Sequence, residues 1–276
     1  MSKGVLIFAY NSKLDYIKIA TVAARLVKKH LQLPVTIVTD TSDVDQTVFD
    51  KVIVQTLSGP STRRLFKYNG HSEQVEWHNT NRSSAYELSP YDQTLLIDAD
   101  YLMFNNSLGK LFDTNLEFAC YDRVHEISGW SGLQNTARVG YPGLHMQWAT
   151  AVYFTKNPLA ASIFSFMQTI KENYQYYSLA YNFSTELFRN DYTLSIALQA
   201  LTGYNKNNFT KIPGNLISAN TAVEILEARP TGEIVFGWKN KENILNVTRL
   251  KDTNVHIMNK RTITDPVILE QLMRLS

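Results

Sequence analysis

The sequence predicts a single-domain α/β protein with a mixed, mainly parallel sheet flanked by helices. Three observations lead there. Val5 to Ala9 is an unbroken apolar run, as expected of a strand buried on both faces of a parallel sheet. A helical pattern and a second apolar run, Val35-Thr36-Ile37-Val38-Thr39, come next, in the order of a βαβ unit. A third run, Leu95-Leu96-Ile97, climbs to two aspartates one residue apart, Asp98 and Asp100.

Taken in order, the first strand ends in the polar loop Tyr10-Asn11-Ser12. The helix after it places Ile17, Ala20, Val22, Ala23, Leu26 and Val27 at apolar positions, with Lys28 and Lys29 near its C-terminus, where the helix dipole favours cations. Pro34 stops it. The second strand ends at Asp40, and Lys51 to Gln55 makes a third. Leu57 to His78 is polar and basic and reads as a long loop or hairpin. Arg82 to Leu88 predicts a short helix stopped by Ser89-Pro90, just before the Asp98/Asp100 strand. Leu116 to Tyr121 and Trp148 to Phe154 read as further strands. Helices are expected from about Leu159 through Ile170 and from Asp191 to Leu201, and Asn254 to Met258 as a late strand. No internal repeat or composition shift marks a domain boundary, so 1–276 is read as one domain.

Composition narrows the function classes. With 44% hydrophobic and 19% charged residues in 276, the chain can bury a substantial core. Lys+Arg 27 against Asp+Glu 25 leaves a net charge of +2, which makes no global case for nucleic acid or anionic membrane. Cys120, the single cysteine, lies in an apolar run and reads as a buried thiol in a reducing compartment. No apolar stretch reaches the length of a membrane span, and the N-terminal run is short for a signal sequence. A cytoplasmic protein with no membrane partner is expected.

The chemistry gathers at Asp98-Ala99-Asp100. Two carboxylates beside a buried strand are costly unless something positive pairs with them. At a strand end they can converge on solvent, where a hard divalent cation with oxygen ligands fits. In α/β sheets ligands bind at the carboxyl ends of the strands, which is where this pair falls. No glycine-rich phosphate loop follows the first strand, which weakens ATPase and dehydrogenase readings.

With these residues in view, the chain resembles the GT-A fold glycosyltransferases, nearest to the glycogenin-like and galactosyltransferase-like group. The likeness is one of layout over most of the chain: an opening βαβ, an apolar strand ending in Asp-x-Asp, an Asp-bearing helix and a late histidine. It implies a nucleotide-diphosphate-sugar transferase, with a UDP-sugar as the expected donor. Asp98 and Asp100 would bind Mn²⁺ or Mg²⁺ bridging the donor diphosphate, and His256 would complete the coordination. The family's fuller late motif is absent; Met258 and Asn259 stand in its place, which leaves Lys260 or Arg261 to serve the phosphate. Ala9, Tyr10 and Asn11 would seat the nucleoside, with Asp40 near the base or ribose. Arg82 would offset diphosphate charge through a bidentate fork. Residues 1–115 form the expected donor half, and 116–276 the acceptor half with its C-terminal metal and phosphate segment. Asp191 falls where the family places acceptor- or sugar-facing residues, and is the expected catalytic residue.

Plainer roles stay open beside these. His256 also suits a half-buried strand. Asn190-Asp191 also suits a helix start, and Thr39-Asp40-Thr41-Ser42 a turn. An inverting transferase would need a general base, for which Asp191 and His145 are available, whereas a retaining one would not use a base in the same way. The expected acceptor is a glycan hydroxyl. A second acceptor class is a modified base in viral-type DNA, for which the Arg63, Arg64 and Lys67 loop would supply phosphate contacts. A non-catalytic nucleotide-sugar or carbohydrate-binding relative is the non-enzyme alternative.

Overall fold

A computed structural model of the protein describes residues 1–56, 62–68, 71–129, 138–140, 143–184, 188–203 and 209–276, with backbone alone at 62–68 and 71–77. The opening unit is strand β1 (Lys3–Phe8), helix α1 (Tyr16–Leu31) and strand β2 (Val35–Thr39), followed by β3 (Lys51–Val54). Every residue of β1 after Lys3 is buried, and so is every residue of β2, as a doubly covered sheet requires. Asp15 caps α1, its side chain accepting from the Lys18 N–H at 3.0 Å. At the other end Gln32 takes the left-handed conformation (φ 55°) ahead of Pro34, and Lys28, Lys29 and His30 occupy the last turn.

The expected hairpin is present as β4 (Thr62–Tyr68) paired antiparallel with β5 (His71–Trp77). The side chains of Arg63, Arg64 and Lys67, named as DNA contacts, lie outside the described residues. A 3₁₀ turn at Arg82–Ser84 runs into the short α2 (Ala85–Leu88), then β6 (Gln93–Asp98) and the two-residue β7 (Tyr101–Leu102). Then come β8 (Phe118–Tyr121), β9 (Val124–Glu126), β10 (Arg138–Val139), β11 (Leu144–His145) and β12 (Trp148–Thr155). Helices α3 (Pro158–Glu172), α4 (Tyr174–Tyr181) and α5 (Asn190–Leu201) follow. The chain closes with β13 (Thr210–Lys211), β14 (Leu216–Ala219), β15 (Glu224–Ala228), β16 (Glu233–Lys239), β17 (Leu245–Lys251), β18 (Val255–Ile257), α6 (Lys260–Thr264) and α7 (Pro266–Leu275).

Among the described residues the central sheet has seven strands, ordered β13-β8-β12-β6-β1-β2-β3. Only β12 runs against the rest, pairing antiparallel with both β6 and β8. The sheet is therefore mixed and mainly parallel. Its carboxyl edge carries Ala9 and Tyr10 after β1, Asp40 after β2, Asp98 and Asp100 at the end of β6, and Asp122 after β8. Helix α1 packs on β1, β2 and the C-terminal helices, and α5 packs on β12 and α3. One hydrophobic cluster joins buried residues from Val5 to Leu275.

A second sheet, β7-β18-β14-β9, positions the late segment. In it Tyr101 pairs with His256 and Leu102 with Val255, while the Ile257 N–H donates to the Asp100 carbonyl at 2.9 Å. Asn254 reinforces the join: its Oδ1 accepts from the N–H groups of Phe104 and Asn105 at 2.8 and 3.0 Å. These bonds bring residue 256 back to residue 100.

Candidate metal and donor site

Asp98 is the last residue of β6, in register with Phe8 of β1, and Asp100 follows in the turn into β7. His256 enters from β18. Its Nε2 lies 3.4 Å from Asp100 Oδ2 and 3.8 Å from Asp98 Oδ2. One donor atom from each of Asp98, Asp100 and His256 falls within 4.8 Å of the others. Among the described residues no other group of three or more acids, histidines or cysteines converges this way.

Cations brace the pair from both sides. Lys260, buried at the start of α6, places Nζ 2.5 Å from Asp100 Oδ2. Arg82, 2% exposed, places Nη1 3.1 Å from Asp98 Oδ1, and the same nitrogen donates to the Ala149 carbonyl. Its Nε and Nη2 have no hydrogen-bond partner among the described residues. Burial pushes the Asp98 carboxyl up; Arg82 and His256 oppose the rise, and Asp100 and Asp191 add to it. Burial acts the same way on Asp100, but there Lys260 and His256 win and hold its carboxyl well below the usual carboxylate range. The two carboxyls are thus pushed in opposite directions, as expected of two acids sharing a site.

Asp191 lies in the first turn of α5, but it does not cap that helix; Arg189 stands at the N-cap and no side chain supplies the capping bond. Asp191 Oδ1 accepts instead from the Ala149 N–H at 2.9 Å, and Oδ2 from Arg189 Nη2 at 3.0 Å. Asp191 and Arg82 therefore hold the N–H and the carbonyl of the same residue, Ala149, in β12. The charges alternate across the edge: Arg189, Asp191, Arg82, Asp98, then Asp100 and Lys260.

The remaining expected residues sit along the same edge with other partners. Ala9 and Tyr10 are buried; the Ala9 N–H donates to Val38 carbonyl at 2.9 Å and the Tyr10 hydroxyl to Gln55 Oε1 at 3.1 Å. Burial, with Asp40 nearby, pushes the Tyr10 phenol up. Asn11 uses its side-chain oxygen to accept from the Ile17 N–H at 3.0 Å, which steadies the start of α1. Asp40 is exposed just beyond β2.

One acid at this edge went unread in the sequence. Asp122, following β8, is buried between Lys211 Nζ at 2.6 Å and His145 Nε2 at 3.9 Å. Two strand spacings separate β8 from β6, about 10 Å. The Tyr121 and Tyr101 hydroxyls, 3.3 Å apart, join the two regions. The same signal that marks Asp98, an acid closing an apolar strand, marks Asp122 after Phe118-Ala119-Cys120-Tyr121.

The donor set suits a divalent ion. Two carboxylates are hard oxygen donors of the kind Mg²⁺ and Mn²⁺ take, and an imidazole favours the transition ion of the two. Three acids (Asp98, Asp100, Asp191) face three cations (Arg82, Arg189, Lys260), so an added dication would leave the edge with charge to match a diphosphate.

No protein-family model and no curated protein sequence matches the chain. Among solved structures, it is similar to the glycosyltransferase GlyE of Streptococcus pneumoniae TIGR4 at 12% identity and a TM-score of 0.44, covering 77% of this chain and 46% of GlyE. The chain thus spans less than half the length of GlyE. It is similar to the galactosyltransferase LgtC, solved with donor and acceptor sugar analogs, at 13% identity and a TM-score of 0.44 over 71% of this chain and 70% of LgtC. Mouse xyloside xylosyltransferase 1 is similar at 11% identity and a TM-score of 0.41, covering 74% of this chain and 83% of that enzyme.

Proposed function

We propose that the protein is a glycosyltransferase that moves a sugar from a nucleotide-diphosphate sugar, a UDP-sugar, to an acceptor hydroxyl. The observation that carries this reading is the convergence of Asp98, Asp100 and His256 at the carboxyl edge of a mainly parallel sheet, with Lys260 and Arg82 against them. Asp98, Asp100 and His256 would hold Mn²⁺ or Mg²⁺. The ion would supply Lewis-acid stabilisation of the charge that develops on the departing nucleoside diphosphate.

The protein's own residues do the rest. Lys260 adds a second positive charge where the phosphate charge grows. Arg82, buried and bound to both Asp98 and Ala149, is the counter-charge that balances the Asp98 carboxylate. Ala9, Tyr10 and Asn11 would form the nucleoside floor, with Asp40 in reach of ribose hydroxyls. Residues 1–115 then serve the donor and 116–276 the acceptor. Asp191, held by Arg189 and the Ala149 N–H, would face the sugar. The Asp122–His145–Lys211 cluster, about 10 Å along the edge, would orient the acceptor so that its hydroxyl meets the anomeric carbon.

The test is turnover of a panel of UDP-, GDP- and CMP-sugars with and without Mn²⁺. Slow donor hydrolysis that needs the ion and disappears in Asp100→Asn is the expected result. Ion-dependent thermal stabilisation by a nucleotide-sugar without any turnover would convert the reading to a non-catalytic binder. Neither turnover nor stabilisation with any donor would overturn both.

A further inference from the structure

The β15–β16–β17 sheet and its turn expose four large apolar side chains. Leu226 is 43% exposed, Ile244 59%, Leu245 57% and Val247 50%. The opposite face belongs to the core: Ile225, Ile234 and Phe236 are buried. Residues paired across antiparallel strands share a face, so the register sorts the rest. Glu224 and Val247 pair with Gly237, Glu227 and Arg249 with Val235, Leu245 with Lys239, and Lys251 with Glu233. All of these stand on the outer face. Leu226, at the irregularity between Ile225 and Glu227, lies across Gly237, where a Cβ would come within 2.7 Å of the leucine.

The charges on this face are sorted by strand. β15 carries Glu224 and Glu227 and no cation, whereas β17 carries Arg249 and Lys251 and no acid. Between them β16 has Glu233 at one end and Lys239 at the other. The turns hold both signs: Arg229 binds Glu227 at 2.7 Å and Glu233 at 2.5 Å, and Lys241 stands next to Glu242. Glu224, Arg249 and Lys251 have no ion-pair partner among the described residues.

We infer that this face pairs with the same face of a second copy of the chain, about a two-fold axis that runs over β16 and parallel to it. That rotation lays β15 of each copy over β17 of the other, about 10 Å away as in packed sheets. It also keeps the strands aligned, as face-to-face sheets prefer. Glu227 then faces the partner's Arg249, because both residues stand level with Val235, and the contact is made twice. Leu226, Val247 and Leu245 fill the centre, with Ile244 at the edge, in the usual order of apolar core and polar rim. Glu233 and Lys239 fall at the two ends of the contact, where solvent screens them. Other arrangements fail on charge. An axis across the strands would set β15 on β15 and β17 on β17, like charge on like. Joining the two β17 edges would gather Arg249 and Lys251 of both copies with no acid among them. A polyanion or an acidic surface would meet Glu224, Glu227 and Glu233. Three strands about 4.8 Å apart, seven residues long at about 3.4 Å each, span roughly 350 Å². That is small for a specific interface, so association in the micromolar range is expected. The sheet is tied to the candidate site through the Ile225 N–H, which donates to Thr262 Oγ1 at 2.7 Å in the helix that begins with Lys260. The inference does not rest on the proposed reaction.

Sedimentation equilibrium of the full chain across micromolar concentrations tests this pairing. A monomer–dimer equilibrium weakened by salt is expected. Arg249→Glu would set two pairs of acids face to face, and Glu227→Lys two pairs of cations. Each variant alone should therefore weaken dimerisation at least about tenfold. An equimolar mixture of the two variants should restore it, since each then offers the charge that the other needs. Only a two-fold contact between these faces behaves in that way. Both side chains reach solvent, so the melting temperature of each variant should stay near the parent's. A chain that remains monomeric throughout the range at low salt overturns the inference. So does self-association that either variant leaves unchanged, or that the mixture fails to restore.

Discussion

Replacing Arg82 with Met should move stability and ion affinity in opposite directions. The guanidinium is 2% exposed and lies 3.1 Å from Asp98 Oδ1. Methionine fills part of the volume but leaves Asp98 facing Asp100 with no counter-charge on that side. Breaking a buried pair from one side costs roughly 3–5 kcal/mol. The Asp98 side chain is 23% exposed, so water recovers part of that, and about 2–3 kcal/mol remains. For a chain of this length that is a fall of roughly 4–8 °C in melting temperature, measured without ions. The same change removes a positive charge beside the carboxylate that would bind a divalent ion, so Mn²⁺ should bind at least about tenfold tighter. Thermal unfolding across a Mn²⁺ titration reads both effects on one sample. A variant that melts within about a degree of the parent, or whose melting temperature responds to Mn²⁺ less than the parent's, would refute the assignment of Arg82 as the counter-charge that holds Asp98.

Other perturbations separate ligands from scaffold. Asp100→Asn and His256→Ala should each weaken Mn²⁺ binding by roughly 100-fold or more in calorimetry, beyond the 10–100-fold typical of residues that only orient ligands. Cys120 is fully buried, and burial pushes its thiol up, so it should stay silent to an aromatic disulfide reagent until denaturant is added. Leu6→Ala, in the centre of β1 at 0% exposure, should cost about 2–5 kcal/mol in urea unfolding. Asp50 offers a pH test. Burial raises its carboxyl, but the Val35 N–H at 2.8 Å and Lys28 Nζ at 3.1 Å outweigh that and lower it. A lowered folded pKa means stability that is present above about pH 4 and lost as pH falls through the folded value. Asp50→Asn should therefore melt below the parent at pH 7, and the gap should close in acid.

The parts of the fold that could be read from the sequence were those with simple burial. β1, β2, β6 and β12 are buried along nearly their whole length, so their sequences are mainly apolar, with threonine the recurring polar residue. Asp98 and Asp100 stood out because nothing in a doubly covered strand otherwise tolerates such a pair. His256 and Lys260 were reachable only by residue type and position, because their partners Asp98 and Asp100 lie far earlier in the chain and no local pattern records the β7–β18 pairing. Arg82 reads in one dimension as a diphosphate contact; the buried bond to Asp98 comes from tertiary packing. The β15–β17 sheet was passed over although Leu245-Asn246-Val247-Thr248 alternates as a half-buried strand should. Its turns are marked by Gly232 (φ 79°) and Asn243 (φ 61°), and the second lacks the usual glycine. Asp122 carries the strand-end signal of Asp98 but has no second acid beside it, and only strand order places it with the others.

The zipper between β7 and β18 has a consequence for the life of the nascent chain. A ribosome releases Asp98 and Asp100 long before His256 and Lys260, so until that later segment returns the two acids lack the imidazole and the ammonium that face them. Such a contact, separated by more than half of the polypeptide, is expected to form late and slowly. A chain cut short before Asn254 keeps the strand that carries the acids but lacks the two residues that face Asp100. The acids and the two residues that face them are thus joined only through a pairing that closes over more than half of the sequence.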